Sequence, residues 1–135
     1  VLVHVDPPYQ KDFETALKEC SKTVFIWAHI AYDFLFEFGG KEIDHEKIRK
    51  LLDAYPNLYF DISHWKISPV YLLSEEWKRF LEEYPERFLF GTDMTDSYTD
   101  QSVWVPAYKK LFESMNEDCR RLIARENLLR ICKSC

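Results

Sequence analysis

Four short apolar segments recur along the chain with helical patterns between them, and this alternation limits the possible folds more than any other feature. The segments cover residues 1–5, 24–28, 58–60 and 88–90 and are rich in β-branched and aromatic side chains. Each is continuous rather than alternating, which predicts a strand buried on both faces. Apolar residues at helical spacing separate the segments and continue after the fourth. The predicted order, βαβαβαβαα, favours a parallel sheet with right-handed crossovers.

A polar residue closes each predicted strand, and the spacing of these residues sets the size of the repeat. His4, His29, Asp61 and Asp93 follow one another at intervals of 25, 32 and 32 residues, close to the roughly 30 residues of one βα unit. A TIM barrel needs about eight such units and about 250 residues. We therefore predict an α/β fold that is one half of a (β/α)8 TIM barrel, with four parallel strands alternating with helices plus a C-terminal helix. A free-standing doubly wound sheet is the alternative, although fewer aromatic residues would commonly wrap its strands.

Composition excludes several classes of function. The 135 residues carry a net charge of -5 with the acidic residues scattered, which argues against binding to nucleic acid. The longest unbroken apolar run, residues 24–28, is far shorter than the roughly 20 residues of a membrane-spanning helix. Three glycines are too few and too far apart for a dinucleotide fingerprint or a phosphate loop. We expect a soluble, cytoplasmic protein that acts on a small molecule.

Three of the residues at the predicted strand ends are of kinds that bind metal ions. In parallel α/β folds the loops at the carboxyl ends of the strands converge over the active site. His4, His29 and Asp93 occupy such ends. Imidazole nitrogen and carboxylate oxygen are donors that divalent cations accept. Each residue taken alone has an ordinary structural explanation, but their occurrence at successive strand ends predicts a metal site.

Four stretches carry a further signal: residues 25–29, residues 55–63, residues 85–93, and the pair Glu126-Asn127 in the last helix. In kind, order and spacing they resemble the amidohydrolase superfamily, specifically its amidohydrolase-related branch of metal-dependent hydrolases and decarboxylases. The third stretch, Pro-Glu-Arg-Phe-Leu-Phe-Gly-Thr-Asp, is the most specific. The resemblance spans almost the whole chain but only the second half of the family's barrel. It implies that residues 1–135 form a single partial domain with barrel strands five to eight and their helices.

The resemblance implies a role for each residue at a strand end. His4 would be a metal ligand, and His29 would be a second ligand or the residue that polarises the substrate and shuttles a proton. Asp93 would coordinate the metal and take a proton from its bound water, because a divalent cation lowers the pKa of water from about 16 to about 7. Asp61 and Ser63 would lie at the rim, where they would support the metal ligands or the structure.

This resemblance also implies the reaction and the cofactor. The expected activity is hydrolysis of C–N or C–O bonds by a metal-activated water, or decarboxylation of an aromatic or enoic acid. The expected cofactor is a divalent metal ion with zinc as the first candidate, although histidine and aspartate ligands also suit manganese and iron.

The sequence departs from the family pattern in two places. The family usually has glycine soon after the strand-six histidine, whereas Ile30, Ala31 and Tyr32 follow His29. The His-x-His pair of the family's first strand is absent from the chain. We expect the missing ligands to come from the N-terminal half of the barrel or from a second copy, and a lone copy to bind metal poorly. The alternative function is a non-catalytic half barrel that serves as a binding or assembly module.

Several other features allow two interpretations. The aromatic side chains in residues 32–38 either wall an apolar substrate pocket or pack against another subunit or the absent half. Residues 92–102 form either a loop over the active site or a solvated connection. Cys132 and Cys135 have the spacing of a redox pair, but ordinary thiols are the favoured interpretation. Cys20 continues an apolar helical stripe, which predicts that its side chain is buried.

Overall fold

The computed structural model describes residues 1–5, 7–31, 44–63, 69–93 and 98–133. Its strands are β1 (Leu2–Val3), β2 (Phe25–Trp27), β3 (Leu58–Asp61) and β4 (Phe88–Leu89). Its α-helices are α1 (Gln10–Glu19), α2 (His45–Ala54), α3 (Pro69–Leu72), α4 (Glu75–Glu83), α5 (Tyr98–Ser114), α6 (Glu117–Arg121) and α7 (Asn127–Lys133). Short 3-10 segments cover Pro7–Tyr9 and Ala28–Ala31, and a π-helical segment, Leu122–Glu126, connects α6 to α7.

This order of elements confirms the α/β prediction. Four strands alternate with helices and further helices follow β4, as one half of a TIM barrel requires. The chain divides into two compact units, Val1–Asp61 and Ile62–Cys135. Among the described helices, none combines the length and the apolar character that a bilayer crossing requires.

The first unit is built on a parallel arrangement of β1, β2 and β3. β2 pairs with β1 through Leu2 opposite Ile26, and with β3 through Ile26 opposite Tyr59. Side chains of one strand alternate between the two faces of a sheet. Trp27 and Phe60 lie on one face, where their rings stack at 5.9 Å, and Phe13 of α1 packs edge-on against Trp27 at 4.9 Å. This aromatic cluster is the core that holds α1 against the sheet.

The prediction that every strand is buried on both faces is wrong for β1. Leu2 is 62% exposed and Val1 is 65% exposed. Among the described residues of the first unit, β1 pairs with β2 alone. An apolar run therefore predicted the strand correctly, but the number of neighbouring strands decided its burial.

The prediction that Cys20 belongs to the core is also wrong, since its side chain is exposed. The buried stripe of α1 consists of Phe13 and Leu17, and the helix ends at Glu19. Cys20 caps the helix with φ -105° and ψ 49°, so the helical period that placed it beside Leu17 no longer applies.

Both Tyr-Pro pairs end a helix, as predicted from the steric restriction that proline places on the residue before it. Tyr55 follows α2 with φ -127° and ψ 92°, and Tyr84 follows α4 with φ -128° and ψ 52°. The start of a helix is also set by nearby residues. At the start of α2, Asp44 accepts a hydrogen bond from the Lys47 N–H. Both ends of α2 are therefore set by residues in or next to the helix.

The second unit has a separate aromatic core. Trp77 and Phe80 of α4 pack against Phe88 of β4, with ring centres 6.5 and 5.5 Å from the Phe88 ring. The backbone N–H of Ile62 donates to the Leu89 carbonyl at 2.9 Å, and the buried hydroxyl of Tyr108 donates to the Ile62 carbonyl at 2.8 Å. These two bonds tie β4 and α5 to the chain just after β3.

Candidate functional site

The carboxyl ends of the three strands in the first unit bring predicted site residues into one row. His4 directly follows β1, and Asp61 is the last residue of β3. Continuing the observed register by one residue sets His4 opposite Ala28, and Ala28 opposite Asp61. His29 comes next after Ala28, so the sheet itself delivers two imidazoles and a carboxylate to the same edge.

His4 and His29 are in direct contact. Their ring centres are 4.6 Å apart and the rings are tilted by 57°. His4 is exposed and His29 is half-buried, so solvent and solutes can reach the pair. Residues separated by 25 positions in the sequence are thus neighbours in the fold, as the strand-end spacing predicted.

This separation fits two nitrogen ligands of one cation. A ring nitrogen lies about 2.0 to 2.1 Å from zinc, which places each ring centre about 3.2 Å from the metal and the two ring centres about 5.2 Å apart at the tetrahedral angle. The observed 4.6 Å is close to this distance. Zinc takes about four ligands, and among the residues that the structure describes, no group of three or more histidine, cysteine or acidic side chains is placed to hold a metal. His4 and His29 therefore fit as part of a ligand set.

The backbone at His29 is held in an unusual conformation. His29 has φ 56° and ψ 32°, and Ile30 has φ 55° and ψ 36°, both in the left-handed region. That region costs an L-residue roughly 1 to 2 kcal/mol, and a β-branched residue such as isoleucine is rare there. Strain of this kind persists only where the surrounding structure imposes it, and it concentrates at functional sites.

Two contacts hold this conformation. The Ile30 side chain is 1% exposed and so anchored in the core of its unit. The backbone N–H of His29 lies 3.4 Å from the Asp61 carboxylate oxygen, which accepts it. A left-handed turn of this kind is the usual place for glycine, and here Ile30 adopts it. Asp61 thus shapes the turn that carries His29.

Asp93 lies in the second unit, four residues after the end of β4. Its side chain is exposed, and its backbone φ is 45°, again in the left-handed region. In the described part of the chain, the positive-φ residues other than glycine are His29, Ile30 and Asp93. Two of the three predicted site residues therefore have strained backbones. The assignment of His4, His29 and Asp93 as ligands of one metal stays a prediction.

The remaining site predictions fall into two groups. Asp61 is half-buried at its strand end, and Ser63 is 3% exposed and is part of the second unit's interior. The aromatic stretch 32–38, residues 94–97 of the predicted loop, and Cys135 lie outside the described residues. Cys132 is an exposed free thiol in α7.

Sequence reasoning missed the left-handed backbone at the site. No glycine marks these positions, so composition carries no signal for them. It also missed how Asn127 acts: the pair Glu126-Asn127 was part of the family resemblance, but the hydrogen bonds of Asn127 to the β4 segment are visible only in the structure.

A family model described as Amidohydrolase matches residues 1–130. No curated protein and no solved structure matches the chain.

Proposed function

The chain belongs to the amidohydrolase family, and on that premise we propose that it is a metal-dependent hydrolase acting on C–N or C–O bonds of a small molecule. Family membership supports a hydrolase-type function. The observation that carries the metal dependence is the contact between His4 and His29 at the carboxyl ends of β1 and β2, with ring centres 4.6 Å apart.

The proposed cofactor is a divalent cation, with zinc as the first candidate. His4 and His29 would hold it through ring nitrogens, which suit zinc and other borderline cations. When bound, such a cation supplies the Lewis acidity that lowers the pKa of water from about 16 to about 7. The exposed His4 ring leaves the pair accessible from solvent.

Individual residues of the chain have separate roles in the proposed hydrolysis. His29 serves as the second metal ligand beside His4, and Asp61 keeps His29 in place by accepting a hydrogen bond from its backbone N–H. Water adds to the carbonyl carbon of the substrate and gives its proton to the Asp93 carboxylate. Asp93 then passes this proton to the departing nitrogen or oxygen as the C–N or C–O bond breaks. The role of Asp93 follows from its position in the family motif.

A partner polypeptide completes the site in this proposal. The chain has four histidines, and no two of them are spaced as His-x-His. The N-terminal half of the barrel, or a second copy of the chain, supplies the remaining ligands. The experiments below distinguish this proposal from two alternatives. One is a non-catalytic binding or assembly role, and the other is decarboxylation in place of hydrolysis. We also propose a cytoplasmic location.

Calorimetric titration with Zn2+ alone, on the full chain with the partner half supplied, tests the metal site. We expect His4→Ala and His29→Ala each to weaken binding at least tenfold. His45→Ala is the matched control, because His45 begins α2 and takes no part in the proposed site. Equal zinc affinity in the wild type and in both ligand variants would refute the proposed site.

Hydrolysis of a panel of simple amides and esters, with the partner half supplied, tests the reaction. We expect activity that a chelator abolishes and that Asp93→Asn lowers by at least a hundredfold, since its carboxylate is the proton acceptor. Asp12→Asn, at an exposed position of α1, is the control. Zinc binding without turnover of any amide or ester would favour the non-catalytic role, and release of CO2 from an added acid would favour decarboxylation.

A further inference from the structure

The π-helical segment Leu122–Glu126 contacts the end of β4 through its backbone. The N–H of Asn127 donates to the Leu122 carbonyl, five residues back, rather than to Ile123, four residues back. The Ile123 carbonyl instead accepts the N–H of Phe90 at 3.0 Å. The wider π turn thus turns a helix carbonyl toward the residue that directly follows β4, and such turns are frequent at functional sites.

Asn127 makes a second attachment to the same segment through its side chain. The residue is 0% exposed, and its amide nitrogen donates to the carbonyls of Pro85 at 2.7 Å and Phe88 at 2.8 Å. Its amide oxygen accepts from the Arg130 guanidinium at 3.3 Å. An amide NH2 has two donors, and both are used on β4 and the turn before it. Aspartate has no donors to offer there, and leucine has neither donors nor an acceptor.

These bonds fix β4 before, within and after the strand, at Pro85, Phe88 and Phe90. Asp93 follows only three residues later, and its backbone is left-handed. We propose that Asn127, together with the π turn, is a positioning residue that sets the backbone conformation of Asp93. The inference rests on the proposed function, because Asn127 affects the reaction only by positioning Asp93.

The chain contains a matched control. Asn57 is also buried, and its amide nitrogen donates to the carbonyls of Leu17, Cys20 and Thr23. Those carbonyls lie at the end of α1 and before β2, so Asn57 braces the entry to β3. Replacing Asn57 by alanine removes a comparable set of buried hydrogen bonds and leaves the bonds around β4 in place.

Amide hydrogen exchange and NMR shifts of the full chain test the proposal without any substrate. In Asn127→Ala we expect the protection of the Phe90 amide, taken relative to the Leu81 amide of α4, to fall at least tenfold. We also expect the Cα and Cβ shifts of Asp93 to move away from those of a left-handed residue. In Asn57→Ala both quantities keep their wild-type values, because the relative protection cancels a loss of global stability.

Unchanged Asp93 shifts together with unchanged relative protection of Phe90 in Asn127→Ala would overturn the proposal. If Asn127→Ala does not fold, Arg130→Ala replaces it, since Arg130 is exposed and bonds to the Asn127 oxygen. The same two quantities then change in the same direction by at least twofold, and an unchanged pair overturns the proposal equally. Failure of zinc binding or hydrolysis would refute the proposed function and leave these backbone measurements standing.

Discussion

Replacing His29 by glycine and by alanine tests whether its backbone is held in the left-handed region. Both variants lose the ring contact with His4, and both keep the backbone N–H that Asp61 accepts. With φ 56° and ψ 32°, an alanine at this position bears the roughly 1 to 2 kcal/mol that an L-residue incurs in that region, and glycine does not. Glycine loses about 0.5 to 1 kcal/mol more backbone entropy on folding. Taken at the middle of both ranges, the balance makes His29→Gly about 0.75 kcal/mol more stable than His29→Ala.

The sign of this difference decides the question. In an extended or right-handed conformation the left-handed cost is absent, so alanine would be the more stable residue by about 0.5 to 1 kcal/mol. Urea denaturation of the two variants measures the difference in the free energy of unfolding. Ala54→Gly, at an exposed helical position of α2, calibrates the ordinary cost of glycine. A His29→Ala variant as stable as His29→Gly would refute the assignment of strain to this residue.

The same pair of variants separates stability from function. Neither variant carries an imidazole at position 29, so we expect both to bind zinc equally weakly. The glycine variant is nevertheless the more stable of the two. A strained backbone at His29 lowers the stability of the fold. Such a loss of stability is expected where the backbone conformation is required to position a functional residue.

Three further predictions concern single side chains. Asn57→Ala removes the amide that bonds three backbone carbonyls and should lower the free energy of unfolding by about 2 to 4 kcal/mol. Asn116→Ala, at an exposed N-cap, should lower it by only about 1 kcal/mol. Equal losses of the two variants in urea denaturation would contradict this prediction. Burial and the hydrogen bond to Glu14 raise the pKa of Tyr55 from 10.0 to about 12, so the folded state holds this proton more tightly than the unfolded state does. The resulting contribution to stability is complete below about pH 10 and is lost between about pH 10 and 12. Tyr55→Phe should show a shallower decline of the denaturation midpoint over that range, and identical slopes would exclude the effect. Tyr108→Phe removes a hydrogen bond to a buried carbonyl and should cost about 1 to 2 kcal/mol, whereas a change below about 0.3 kcal/mol would mean that the carbonyl finds another donor.

Local patterns in the sequence were enough to predict the elements and their order. Continuous apolar runs located all four strands to within two residues at each end, and Tyr-Pro pairs ended α2 and α4 where proline restricts the preceding residue. Asp44 and the helical apolar stripe of α2 are equally local signals. The regular spacing of polar residues after the strands then predicted that His4 and His29 would meet, because parallel strands deliver their carboxyl ends to one edge.

Burial and backbone strain depended on neighbours that no local pattern contains. β1 is as apolar as β2, yet it is exposed because it pairs with one described strand rather than two. Cys20 continues the stripe of α1 in sequence but lies beyond the end of the helix.

Backbone strain at the site shows the same dependence most clearly. An isoleucine avoids a left-handed backbone when only its own residue is considered, and Ile30 adopts one because its side chain is packed in a core assembled from distant segments. The types of the residues thus determine the chemistry of the candidate site. Packing between segments far apart in the chain determines the backbone conformation of those residues, because only packing can offset the cost of a left-handed backbone.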